Sequence, residues 1–176
     1  MRGKHAFMRK MASDLALQGA RAQVLHPGDV VCAQAGERLQ TLLGSCVSIC
    51  MTDVARQVGA MCHYVYCGDP KPTHRGDTTY ADPALRRMFA ELRAHGVDPM
   101  RCEAYVCGGG SLLPLGATLV PCQVGERNVR WARDVLSNLG IVIHELSVGG
   151  PCYRKVNWLV GQGAPDVQAM PMERGR

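Results

Sequence analysis

The stretch Thr41-Leu42-Leu43-Gly44-Ser45-Cys46 places a cysteine directly after two small residues. Small residues at that point let the backbone turn sharply and leave nearby amides free to converge, where they can hold the oxygen of a tetrahedral intermediate. A thiol in such a turn becomes a nucleophile only if its pKa is lowered or a base removes its proton. The candidate base is His63, in a strand-like run that can lie beside the strand of the cysteine. Histidine is the natural base near neutral pH, and Cys with His is the minimal thiol-hydrolase constellation. By residue type alone the signal is weak. A cysteine in a chain with nine is more often core than catalyst, and so is a histidine flanked by Cys62 and Tyr64.

The elements that must position this pair are legible as runs and turns. After the turn signal His26-Pro27-Gly28-Asp29, residues 30–33 form a short apolar run, and residues 39–51 form two, broken at Gly44-Ser45. Residues 58–67 read as another strand, and residues 68–81, rich in Gly, Pro, Asp and Thr, as a long exposed loop. Asp82-Pro83 predicts a helix start, with Asp as N-cap and Pro at the first helical position. Leu85, Met88, Phe89 and Leu92 form one buried stripe, and Gly96 stops the helix. A strand at residues 102–107 runs into Gly108-Gly109-Gly110-Ser111. A second helix is predicted over residues 126–139, with Val129, Ala132, Leu136 and Leu139 facing inward. Strands at 141–146 and 155–160 flank a Gly149-Gly150 turn. This mixture predicts one α/β or α+β domain. Residues 1–24 are expected to be a basic extension, 25–160 the domain, and 161–176 a tail.

The 176 residues carry 20 basic and 15 acidic side chains, a net charge of +5, with 47% hydrophobic residues. The length suits one core, and the composition excludes a disordered acidic chain or a collagen-like fibre. No apolar run reaches the ~20 residues of a membrane-spanning helix, so no membrane insertion is expected. Five basic residues and one acid fall in residues 1–24, leaving 15 and 14 for the remainder, a net +1. A body so close to neutral predicts no nucleic-acid partner. The nine cysteines form no Cys-x-x-Cys pair and residues 1–23 lack the apolar segment of a secretory signal, so a reduced cytoplasmic protein with mostly structural thiols, and no metal or cofactor, is expected. The triple glycine is followed by no Gly-Lys-Thr/Ser motif and reads as a tight turn. Arg127, Asn128 and Arg154 are candidates to line a substrate groove, or else capping and solvent-facing residues. His74 and His144 have no partner readable from the sequence.

The blocks LLGSCVSICMTD at 42–53 and GAMCHYVY at 59–66 resemble the CheD family of chemoreceptor glutamine deamidases. The resemblance continues at Tyr80-Ala81-Asp82, at the triple glycine, at residues 124–129 (VGERNV), and at Gly149-Gly150 with Arg154, in family order over residues 27–160. It implies packed mixed sheets flanked by helices, similar to deamidating cysteine-hydrolase toxins. The activity it implies converts chemoreceptor glutamines to glutamate with loss of ammonia, and in some members also cleaves glutamate methyl esters. The family nucleophile falls on Cys46 and its histidine on His63, with Gly44 and Ser45 shaping the substrate pocket. The family's threonine often stands six residues before the cysteine. Gln40 occupies that place here, and Thr41, five before, is favoured over it as the third member. The partners implied are chemoreceptor cytoplasmic helices and a CheC-like phosphatase. The alternative reading is a non-catalytic regulatory module binding that phosphatase or the receptors.

Overall fold

The computed structural model describes residues 22–53, 55, 57–68, 70, 75–111 and 123–171. Its elements are β1 (Gln23–Leu25), β2 (Val30–Gln34), β3 (Arg38–Leu43), β4 (Val47–Thr52), β5 (Val58–Tyr64), α1 (Ala81–Ala94), β6 (Glu103–Gly108), α2 (Gln123–Asn138), β7 (Val142–Val148), β8 (Cys152–Leu159) and β9 (Asp166–Pro171), with a 3₁₀ turn at Pro99–Arg101. They form two sheets, one in the order β1-β3-β8-β9 and the other β2-β5-β4-β6-β7. The β1–β3 and β6–β7 pairs are parallel, and the other pairs are antiparallel. This is a mixed α+β architecture, as the alternation of strand-like and helix-like runs implies.

Strand parity sorts the side chains into two cores. Along β4, which is buried on both faces, Val47, Ile49 and Met51 join the layer beneath the helices. Met88 and Leu92 of α1 and Val129, Ala132 and Leu136 of α2 complete that layer. The alternate residue Cys50 faces the other sheet, where Leu39 and Leu43 of β3 and Val156 and Trp158 of β8 pack. The larger sheet is therefore the middle layer, and its central strands β5, β4 and β6 are buried along nearly their whole length because neither face meets water.

Three expectations need correction. Helix α1 begins at Ala81 with Tyr80 at its N-cap, so Asp82 is not the cap. The amides of Ala81 and Asp82 are satisfied by the carbonyls of Tyr66 (2.8 Å) and Gly68 (3.1 Å), which removes the need for a side-chain cap. Asp82 instead bonds Arg86 one turn on (2.8 Å). Helix α2 ends at Asn138, so Leu139 lies just past its last turn and is 41% exposed rather than inward, with Gly140 at φ 71° turning the chain next. The segment expected to be a tail contributes β9, whose six residues pair with β8. Apart from half-buried Val167 it carries little apolar signal, and its order comes from the ladder and from Trp158 Nε1 donating to the Gly163 carbonyl (3.0 Å). Most of the basic extension, residues 1–21, lies outside the described residues, and β1 begins at Gln23.

Candidate active site

Strand β3 alternates: Leu39, Thr41 and Leu43 are buried, while Leu42 is exposed. The inward parity carries Thr41 across the seam between the sheets to His63 near the end of β5, with Oγ1 2.9 Å from Nδ1. Both residues are 3% exposed. Gln40 has the opposite parity and bonds Asn157 on β8 (3.2 Å), so of the two candidates the structure brings only Thr41 to the imidazole. The Thr41 hydroxyl also lies 2.8 Å from the Leu25 carbonyl, which can only accept, so the hydroxyl proton goes there. The oxygen must then accept from His63 Nδ1–H. This chain fixes the tautomer with the proton on Nδ1 and leaves Nε2 with a free lone pair. His63 Nε2 is buried without a hydrogen-bond partner.

Cys46 immediately precedes β4. Across the β4–β5 pair Val47 faces Tyr64 and Ser48 faces His63, so Cys46 shares the Ser48 face, one diagonal step from the histidine. In keeping with this, the half-buried Cys46 packs against the layer between the sheets. Burial pushes the Cys46 thiol above its ordinary value, opposed by its own backbone amide. Burial pushes His63 below the ordinary imidazole value, opposed by the Leu25 carbonyl and by Asp29. Both shifts favour the neutral forms, a protonated thiol and an unprotonated imidazole.

The turn that presents Cys46 is held by backbone contacts that only glycines permit. Gly110 donates to the Gly44 carbonyl and Gly109 to the Cys46 carbonyl, both at 2.7 Å. A Cβ on Gly108 would fall 2.3 Å from the Cys46 carbonyl oxygen, and one on Gly109 would fall 2.7 Å from that of Gly125 in α2. The triple glycine thus lets a strand end, the cysteine turn and a helix start meet at backbone distance. The Ser45 carbonyl accepts from Asn128 Nδ2 (3.1 Å). Arg154, buried on β8, donates to Ser147 Oγ (2.9 Å) and to the carbonyls of Cys152 and Gly149, tying down the Gly149-Gly150 turn.

The other singled-out residues fall elsewhere. Arg127 is exposed on α2, whereas Asn128 is buried, neither solvent-facing nor part of an open groove. His144 stacks on Tyr105 (ring centroids 5.1 Å) and lies 3.2 Å from Glu103. His74 and Cys122 lie outside the described residues. The described cysteines are free thiols, with Cys62 and Cys107 pushed up to about 12 by burial. Among the described residues no group of three or more His, Cys, Asp or Glu is placed to hold a metal ion, and no helix is long and apolar enough to cross a membrane. The sequence reading missed the Leu25 carbonyl. Its signal was a three-residue strand straddling the boundary expected between extension and domain, too short for any periodicity.

Comparison with known proteins adds a family. Residues 68–168 match the family model described as CheD chemotactic sensory transduction. A protein of Albidiferax ferrireducens named probable chemoreceptor glutamine deamidase CheD 2 is 35% identical over 153 residues, covering 84% of this chain and 87% of that protein. One of Chromobacterium violaceum, named probable chemoreceptor glutamine deamidase CheD 1, is 33% identical, covering 88% and 81%. Two solved structures are more distant. A DUF152 protein of Neisseria meningitidis has 14% identity and TM-score 0.44 over 81% of this chain and 68% of that one. The hypothetical protein YfiH of Bacillus licheniformis has 16% and 0.42 over 73% and 60%. At those scores neither assigns fold or function.

Proposed function

Because this chain belongs to the CheD family, we propose that it is a chemoreceptor glutamine deamidase with Cys46 as nucleophile, His63 as base and Thr41 as the group that orients His63. The observation that carries this reading is the chain from the Leu25 carbonyl through Thr41 to His63 Nδ1, which leaves Nε2 free to take a proton. His63 Nε2 removes the Cys46 proton as the sulfur attacks the side-chain carbonyl carbon of glutamine. The carbonyl π electrons move to oxygen, and amides of the Gly44-Ser45-Cys46 turn stabilise the oxyanion. Collapse breaks the carbon–nitrogen bond while the imidazolium protonates departing ammonia. Water, deprotonated by His63, then cleaves the thioester and restores the thiol, leaving glutamate.

A glutamate methyl ester follows the same course with methanol as the leaving group, so one site serves both reactions. Gly44 and Ser45 would border the incoming carboxamide, and the substrate would be a cytoplasmic receptor helix. A purely regulatory module is not favoured, since it has no need of a buried, tautomer-locked histidine one diagonal step from a thiol. The family resemblance adds a CheC-like phosphatase as a proposed partner, which co-elution of the two purified proteins tests.

The decisive experiment incubates the protein with a chemoreceptor cytoplasmic fragment and maps, by mass spectrometry, the gain that accompanies replacement of a side-chain NH₂ by OH. Conversion by the wild type and none by a folded Cys46→Ala variant is expected. Undiminished conversion by that variant would overturn the assignment.

A further inference from the structure

Asn128 is an uncharged side chain near the start of α2, 1% exposed, yet its carboxamide is the point where three parts of the site converge. Its Nδ2 donates to the Ser45 carbonyl (3.1 Å) and to the Val65 carbonyl (2.8 Å). Ser45 precedes the cysteine, and Val65 follows His63 by two residues. Both protons of the NH₂ are thereby used, and both acceptors are carbonyls. Rotating the amide by half a turn would set Oδ1 against two carbonyl oxygens, so only one orientation is stable. Its Oδ1 is left buried without a donor, which marks a group held for what its NH₂ does.

The consequence lies one peptide away. Peptide bonds are planar and, in the described chain, none is cis, so the Ser45 C=O and the Cys46 N–H point in opposite directions. Asn128 comes from α2, which packs on the helix-covered face of the larger sheet, where Val129 and Tyr64 belong. It draws the Ser45 carbonyl towards that side. The Cys46 N–H is consequently turned to the opposite side, the seam where the thiol and His63 lie. The Cys46 amide opposes the upward push of burial on its own thiol, which agrees with this direction.

We infer that Asn128 is a positioning residue for the reaction: by clamping the Ser45–Cys46 peptide, it aims the Cys46 amide at the sulfur and at the oxyanion that forms beside it. The same clamp ties the cysteine turn to the end of β5 and so sets the thiol relative to His63. This inference rests on the deamidase reading for its oxyanion, but its effect on the thiol needs no substrate.

The test uses Asn128→Leu, nearly isosteric, uncharged and unable to donate, and Asn128→Ala, each with the fold verified by circular dichroism. Expected for both is a kcat for receptor-fragment deamidation lower by roughly 100-fold, the scale of a lost oxyanion donor, with KM within about twofold because substrate contacts are untouched. The pH midpoint for iodoacetamide labelling of Cys46 should move upward, since the thiolate loses its amide. A kcat per folded molecule equal to wild type, or a lowered kcat with an unmoved labelling midpoint, would overturn the inference. Should neither variant fold, ¹⁵N NMR of the wild type decides. Addition of a peptide aldehyde to Cys46 should shift the Cys46 amide proton downfield, and an unmoved resonance would overturn it. Failure of the wild type to deamidate any glutamine would sink the deamidase reading instead, leaving the labelling profile as the separate test of Asn128.

Discussion

Thr41 has one hydroxyl proton, and the Leu25 carbonyl takes it. What remains for His63 is a lone pair, which makes the threonine an acceptor that selects a tautomer rather than a spare nucleophile. Thr41→Val keeps the shape and removes that acceptor. Steady-state kinetics on a receptor fragment should show kcat lowered by roughly 10- to 100-fold, within the range general-base catalysis supplies. Thr41→Ser should recover most of it; a valine variant as active as wild type would detach Thr41 from the chemistry. The pH dependence follows from the direction of the His63 shift. Its folded pKa lies below the ordinary 6.5, because burial disfavours the cation. The acid limb of kcat/KM for the free enzyme should therefore have its midpoint below 6.5 and disappear with His63. The same depression acts on stability. Below 6.5 the unfolded imidazole takes up a proton that the folded one resists, so this group's contribution to stability falls as pH drops and levels off below the folded pKa. Denaturant titrations across that window check the sign.

At the scale of elements, glycine decides how closely backbones approach. Gly59 on β5 lies under the indole of Trp158, and a Cβ there would sit 2.4 Å from the ring. Gly59→Ala must push the indole, and with it β8, away from the larger sheet. A loss of about 1–3 kcal/mol is expected from such overpacking, read as a lower denaturation midpoint, with activity per folded molecule changed far less because Gly59 lies at the opposite end of β5 from His63. The triple glycine is a harsher case. Gly109 has φ 66° and meets the backbone of Gly125, so no side-chain adjustment relieves an added methyl. These positions explain why a motif that superficially suggests a phosphate loop is instead a packing joint between β6, α2 and the cysteine turn.

At the scale of the molecule, the proposed site is a seam: the smaller sheet supplies Thr41, the larger supplies His63 and the cysteine turn, and α2 supplies Asn128. Anything that loosens the two sheets where Thr41 meets His63 should weaken catalysis together with stability. Ending the chain at Val160, where the sequence suggests that the domain stops, removes β9, the Val167 contact and the acceptor of the Trp158 indole. A loss of about 2–4 kcal/mol is expected from the buried apolar surface and the orphaned donor, measured by urea denaturation; an unchanged midpoint would restore the tail reading. By itself, the sequence determined the strand-like and helical runs with strong periodicity, the near-neutral body and the pairing of Cys46 with His63 as candidates. These are local properties, carried by side-chain type and short spacing. It left open whether Thr41 or Gln40 meets the imidazole, and it overlooked β1 and β9. Tertiary structure decided those, because a strand's inward parity is fixed only when a second sheet covers it. A three-residue strand or an exposed edge strand, in turn, is ordered by the neighbour it pairs with and not by its own residues.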